Sequence, residues 1–338
     1  MGFLAFIIRR LFLLVPILLG VTLLTFVVSH VIVPNPVLVW VGTRHPSPQQ
    51  VAAITAQYHL DDPLYTQYAY YLVDLVTGNW GTSPVTNQPV LKLIGTYFPA
   101  TFELTIAALL ISIAIGIPLG VLSAVWNGKK LDYPIRLLYL SGVGSPPFLL
   151  ALVFQLVFSY YLRILPSSGR LSPTLLPPTH ITGMYTVDSL LTGNWVDLVD
   201  SVRHLILPAT ALALLTFAII TRITRSSMLE TMNKDFVRTA RSKGLPKRSV
   251  TFRHVLRNAL SSTVTVIGLA VQFLLTGTVV IEYIFFWPGI GLYAAQSILA
   301  LDFPSIMGVT VLFTLIVVLT NLVTDFAYGV IDPTVRLQ

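Results

Sequence analysis

Six stretches of the chain carry no Asp, Glu, Lys or Arg: Leu11–Gly42 (with His30 inside it), Leu104–Gly128, Leu137–Leu162, Leu205–Thr221, Ala259–Ile281 and Phe303–Thr324. A helix needs about 20 apolar residues to cross about 30 Å of hydrocarbon, so each run accommodates one crossing and none accommodates two. An ionised side chain at mid-membrane costs about 2.5–3.5 kcal/mol on insertion scales, which makes six such runs in one chain a design rather than an accident. Charged residues are only 10% of the sequence, against roughly 25% in a soluble domain. The expected fold class is therefore an all-α integral membrane protein with six transmembrane helices.

An even number of crossings puts both termini on one side, and the basic residues choose which. With the N-terminus in the cytoplasm, 16 of the 21 Lys and Arg residues fall inside, leaving Arg44, Lys92, Arg163, Arg170 and Arg203 outside. This positive-inside bias also accounts for the net charge of +7 without nucleic acid. The first run follows a short basic start, is too long for a signal-peptide core and lacks a small-x-small cleavage site, so it reads as an uncleaved anchor. The expected order is an inner segment (1–10), a span (11–33), an outer cap (34–103), two spans (104–128 and 137–162) and an outer loop (163–203). A span (204–223), an inner loop (224–258), a span (259–281), an outer loop (282–302), a span (303–325) and an inner tail (326–338) complete it.

The outer cap carries helix signals. Ser47-Pro48 and Asp62-Pro63 each place a capping residue before a proline suited to the first helical position, and Gly78 supplies a stop. Leu64, Tyr68, Tyr71 and Leu75 share one face. A packing lid and a partner-docking element both fit that pattern. The loop 163–203 is too rich in Pro, Ser, Thr and Gly for an assignment. In 282–302, Glu282 precedes a cluster that includes Phe285 and Trp287 and ends on Pro288, Gly289 and Gly291; it reads either as an interfacial aromatic belt or as a re-entrant loop buried in protein.

The inner loop is the most informative stretch. From Ser226 it reads as helix, with Leu229, Met232, Phe236 and Ala240 as the apolar stripe and Lys234, Arg238 and Arg241 on another face. Gly244-Leu245-Pro246 breaks it, and Lys247–Arg257 leads into the next span. Two readings follow: a rigid basic elbow that transmits force to a cytoplasmic partner, or a basic loop held on anionic lipid.

Enzyme chemistry is hard to place in this chain. No Lys is followed by Ser or Thr, which excludes the Gly-Lys-[Ser/Thr] phosphate loop; no two of the six His are four apart, which excludes the His-Glu-x-x-His zinc helix; and there is no Cys. Ion-coupled secondary carriers keep ionisable residues near the midplane, whereas Glu103, Glu282 and Asp325 lie at run ends. Pro118, Pro146-Pro147 and Pro208 fall within or near spans, where kinks beside a pathway are expected. Pro146, Gln155 and Gln272 are the polar or helix-breaking candidates for that pathway.

The segment Asp235-Phe236-Val237-Arg238-Thr239-Ala240-Arg241-Ser242-Lys243-Gly244-Leu245, followed by Arg253–Leu260, resembles the cytoplasmic signature loop of ABC-importer permeases, in the dipeptide/oligopeptide/nickel branch. Leu60–Leu64, Gly78–Ser83, Pro99–Leu104, His204–Ala209, Glu282–Gly291 and Asp332-Pro333 extend the likeness along nearly the whole chain. Arg238-Thr239-Ala240 departs from the general Glu-Ala-Ala form, Pro34-Asn35-Pro36 from Pro-Gly-Asp-Pro, and Asn79 and Thr334 from the branch's usual Asp and Arg. The resemblance implies an importer subunit in a prokaryotic plasma membrane, paired with a second homologous permease. It implies two ATPase subunits carrying ATP and Mg, with no cofactor in this chain, and an extracytoplasmic binding protein that delivers substrate. Asp235, Arg238, Thr239, Ala240, Arg241, Lys243, Gly244 and Leu245 would couple to an ATPase, and Glu282, Phe285, Trp287, Pro288, Gly289 and Gly291 would form an outer gate or re-entrant loop. Peptide is the first substrate expected; oligosaccharide and nickel are the alternatives within the branch.

Overall fold

The computed structural model describes residues 3–32, 40 and 47–331, with side chains outside 3–11, 13, 14, 31, 32 and 325–331. Pro34-Asn35-Pro36, Arg44, Asp332-Pro333, Thr334 and Arg336 lie outside these residues, as do the side chains of Arg9, Arg10 and Asp325. The regular structure among the described residues is helical, with a single isolated antiparallel bridge between Thr82 and Pro89. Two compact units result, one formed by Met1–Thr101 with Pro288–Leu319 and the other by Phe102–Trp287 with Thr320–Gln338.

In the first unit, α1 (Phe3–Val27) continues as a π-helical stretch to Ile32. Helix α2 (Pro48–Gln57) starts on a capping box: Ser47 Oγ accepts from the Gln50 N–H while the Gln50 side chain accepts from the Ser47 N–H. Helix α3 (Leu64–Thr77) begins one residue later than the Asp62-Pro63 pair suggests, with Pro63 itself at the cap and no side-chain cap bond. Its end is as expected, with Gly78 left-handed at φ 85°. Tyr68 and Tyr71 of α3 meet the buried Phe26 of α1, and the Tyr68 hydroxyl donates to the Leu19 carbonyl at 3.1 Å. Of the face expected from helical spacing, Tyr68 and Tyr71 thus pack on α1, whereas Leu64 is exposed.

The rest of that unit gathers the start of α4 (Val90–Val125), helix α11 (Ile290–Leu299) and the start of α12 (Phe303–Ile331) around Val90, Leu93, Ile94, Ile290, Tyr293 and Val309. Asp302 caps α12 by accepting from the Ser305 N–H at 3.2 Å, and its other oxygen accepts from Ser83 and Ser305. The Tyr293 hydroxyl donates to Ser305 at 2.6 Å, closing a buried polar chain.

The second unit is built on α8 (Trp195–Met232), flanked by α5 (Asp132–Gly144), α6 (Pro147–Phe154, continuing as a π-helix through Tyr161), α7 (Tyr185–Thr192) and α10 (Lys247–Ile284). Glycines bring the helices close. A Cβ at Gly120 of α4 would lie 2.6 Å from Thr224 Cβ of α8, one at Gly116 would lie 2.8 Å from Ile220, and one at Gly142 of α5 would lie 3.0 Å from Ala218. Small residues four apart are the usual device for such contact where lipid offers no hydrophobic drive.

Among the described residues four helices are long and apolar enough to cross a membrane: Val90–Val125, Trp195–Met232, Lys247–Ile284 and Phe303–Thr324. The pair α5 and α6, bent by 111° at Ser145-Pro146, adds a fifth if it is one span; the apolar stretch Val15–His30 is shorter. Helix α8 runs on through Pro208 and α4 through Pro118 without a break, so of the prolines expected to disturb spans only Pro146-Pro147 interrupts a helix.

The loop 163–203 is ordered by acids rather than by apolar periodicity. Arg170 donates to Glu103 at 2.5 Å and to the Gly183 carbonyl at 2.9 Å, both side chains being almost fully buried. The Thr186 N–H and hydroxyl donate to the other Glu103 oxygen. Asp188 accepts from the N–H groups of Ile181, Thr182 and Gly183 and from the Thr182 hydroxyl. Ser172 donates twice to Asp200 of α8. Burial alone would lift the Asp188 pKa, but these hydrogen bonds outweigh it and hold the carboxyl below its ordinary range.

Candidate coupling site

Helix α8 stops at Met232 because Asn233 turns the chain: its N–H still donates to the Glu230 carbonyl, its side chain returns to the Leu229 carbonyl at 3.1 Å, and Lys234 is extended. A new short helix, α9 (Asp235–Ser242), then starts with an acid in its first turn and a base in its last, both favourable to the helix dipole. This interruption corrects the expected stripe. A continuous helix would bury Phe236 with Ala240, but the restart buries Val237 and Ala240 and leaves Phe236 41% exposed. Val237 and Ala240 sit in an apolar cluster with Val121 and Ala124 of α4, Met228 of α8, and Val250, Val255 and Ala259 of α10.

The C-terminus of α9 is a double-bonded stop: the Gly244 N–H donates to the Arg241 carbonyl at 3.0 Å and the Leu245 N–H to the Ala240 carbonyl at 3.4 Å. Such a stop needs a left-handed residue, and Gly244 has φ 73°. A Cβ there would meet nothing within 4 Å, so within this chain the requirement is conformational, not steric. Pro246 then caps α10, whose first turns pass through a π-helical stretch, Val250–Leu256.

Of the residues singled out for coupling, Ala240 forms the buried seat, while Asp235, Arg238, Thr239, Arg241, Lys243, Gly244 and Leu245 are exposed. Arg238 pairs with Asp235 at 3.3 Å, an exposed contact worth little. Among the described residues Arg241 and Lys243 enter no ion pair. Arg241 lines an open groove with Val125, Met232, Leu245, Lys247, Val250 and Thr251. The arrangement presents guanidinium and ammonium donors on and just after a short, rigidly stopped helix. Val237 was not among the expected site residues; the Asn233 turn was the signal that would have identified it.

The outer segment is divided. In the second unit Glu282, Phe285 and Trp287 are buried, the Trp287 N–H donates to the Glu282 carbonyl at 2.8 Å, and Arg170 lies 5.5 Å from the Trp287 ring. Phe286 between them takes φ 49°, which only a held turn imposes on an aromatic residue. In the first unit, Pro288 leads to Gly289, the extended cap of α11, and Gly291 is buried in its first turn; the Ile290 N–H donates to Thr101 at 2.8 Å. Of the pathway candidates, Pro146 stands at the α5–α6 break, Gln155 opens the π-helical stretch and donates to the Ser167 carbonyl at 2.8 Å, and Gln272 is half-buried in α10.

Comparison with known proteins agrees with this architecture. A family model described as the binding-protein-dependent transport system inner membrane component matches residues 116–337, and the model for the N-terminal part of such membrane components matches residues 3–105. The chain is 45% identical over 322 residues to the probable D,D-dipeptide transport system permease protein DdpB of Escherichia coli (strain K12), covering 95% of this chain and 94% of the relative. It is 41% identical over 333 residues to the dipeptide transport system permease protein DppB of Alkalihalophilus pseudofirmus, covering 98% and 99%. It is 37% identical to the oligopeptide transport system permease protein AppB of Bacillus subtilis (strain 168), with the same coverage. Matched along nearly its whole length and built of long apolar helices, the chain is a multi-pass plasma-membrane protein that belongs to the family of inner-membrane permease components of binding-protein-dependent transport systems.

Proposed function

We propose that this protein is the permease subunit of an ATP-driven importer of di- and oligopeptides. It crosses the membrane six times with both termini in the cytoplasm, pairs with a second homologous permease, and receives substrate from an extracytoplasmic binding protein. Two ATPase subunits, carrying ATP and Mg, bind below, and α9 is the element that one of them grips. Closure of the ATPases on ATP moves α9, and the spans attached to it follow in an alternating-access cycle. The outer segment Glu282–Gly291 serves as the external gate, and Pro146, Gln155 and Gln272 lie along the path.

The observation that supports this reading best is α9 itself: a short helix seated on apolar side chains, stopped by Gly244, with Arg241 and Lys243 exposed and in no ion pair among the described residues. A loop held on lipid by charge alone needs no such stop. The peptide substrate follows from the names of the dipeptide and oligopeptide relatives. The test is co-purification of the ATPase subunits with the two permeases. Arg241→Glu inserts normally but loses ATPase recruitment and stimulated turnover, whereas Arg241→Lys retains part of both because it keeps the charge and loses the planar donor set. Wild-type recruitment in Arg241→Glu contradicts the role of α9.

A further inference from the structure

Three residues before Met228, on the same helix as the seat of α9, Arg225 points its fork at a fully buried carboxylate. Asp132, at the start of α5, accepts from Arg225 Nε and Nη2 at 3.1 Å each, from the Ser123 hydroxyl of α4 at 2.5 Å, and from the Gly128 N–H at 3.0 Å. The same Arg225 Nη2 donates to Asn127 Oδ1 at 2.8 Å. The carboxylate is 0% exposed and thus depends on these four donors for its solvation.

The cluster is placed where α4 and α8 both meet α9. Ser123 lies between Val121 and Ala124, and Arg225 is one turn from Met228; Val121, Ala124 and Met228, together with Val250, Val255 and Ala259 of α10, form the apolar cluster that holds Val237 and Ala240 of α9. One polar clamp therefore fixes, side by side, two of the three helices that supply this cluster, α4 and α8, and ties them to α5. An apolar seat alone resists separation but slides, because dispersion contacts carry no direction. A bidentate Arg–carboxylate pair does carry direction and opposes shear.

We infer that Asp132 and Arg225 are positioning residues for energy coupling: they make the ends of α4, α5 and α8 move as one body when α9 is displaced. This rests on the reading of α9 as the ATPase contact. Neither residue touches a partner in this role, so their loss separates hydrolysis from transport without removing the ATPases. The pair and α9 both belong to the second unit.

The test uses the full complex, reconstituted in liposomes with its binding protein and a radiolabelled dipeptide mixture, and reads dipeptide moved per ATP hydrolysed. Asp132→Asn keeps the shape and removes the charge; Arg225→Lys keeps the charge and removes the fork, and decides the matter if Asp132→Asn does not insert. In either variant ATPase co-purification stays at the wild-type level while dipeptide per ATP falls by about five-fold or more, the lower range of coupling between distant sites. An unchanged ratio overturns the inference. So does a loss of ATPase recruitment equal to the loss of transport, because the clamp would then only maintain the docking seat. Arg241→Glu, measured in parallel, separates the two claims: wild-type recruitment there removes the α9 reading and the clamp with it, whereas lost recruitment there beside an unchanged ratio in Arg225→Lys removes the clamp alone.

Discussion

Asp188 organises a loop that composition marks as irregular. Its two oxygens collect three backbone N–H groups and a hydroxyl, and its side chain is almost fully buried. Replacement by Asn leaves at most one acceptor oxygen and turns an N–H₂ group toward donors, so Asp188→Asn costs about 2 kcal/mol, the range for hydrogen bonds to a charged group. The folded-state pKa lies below the unfolded value, so the native state binds fewer protons and the carboxylate's contribution is complete above the ordinary carboxylate range. It is lost as pH falls through the depressed folded value. Thermal melts in detergent check this: the gap between wild type and Asp188→Asn holds constant from pH 7 to pH 5 and closes only in stronger acid. A gap that widened on acidification would contradict it. Glu103 makes a similar point, because charge counting places it at the end of an apolar run, whereas its buried pairing with Arg170 shows it to be a fastening for the outer loop.

Among the elements, α4 and α8 meet through the Gly116 and Gly120 notch, and this contact sets how near the backbones lie. A Cβ at Gly120 would stand 2.8 Å from the Thr221 carbonyl and 2.6 Å from Thr224 Cβ, neither of which is a flexible tip. Gly120→Ala therefore overpacks the pair and destabilises it by about 1–3 kcal/mol, which a lowered melting temperature of the purified protein would register. An unchanged melt would mean that the helices lie further apart. The apolar runs behind these helices are legible because exclusion of charge is a global property, visible without tertiary structure. The start of α2 and the stop after α3 are legible for a local reason: Ser47-Pro48 and Gly78 act within one turn. The loop 163–203 was not, because hydrogen bonds to acids and not apolar periodicity order it: Asp188 gathers nearby backbone N–H groups, and other bonds join residues distant in the chain, Ser172 to Asp200 and Thr186 to Glu103. The inner elbow was half legible: Gly244 announced its end, but the turn at Asn233 shifted the helical phase and exchanged Phe236 for Val237 in the seat.

For the whole molecule, the proposed topology and the proposed activity can be checked apart. The chain has no Cys, so single Cys substitutions at Asp62, Lys130, Ser172, Lys243 and Gly289 report sidedness cleanly. In sealed cells an impermeant thiol reagent labels 62, 172 and 289 and spares 130 and 243; labelling at 130 or 243 would overturn the orientation. The proposed activity belongs to an assembly, in which partner subunits supply the phosphate loop that is missing from this sequence. Its central test is uptake of a labelled dipeptide by proteoliposomes holding both permeases and both ATPases. Such uptake requires internal-face ATP and the external binding protein together and is absent when this chain is reconstituted alone under an ion gradient; gradient-driven uptake by the lone chain, insensitive to ATP, would contradict the importer reading.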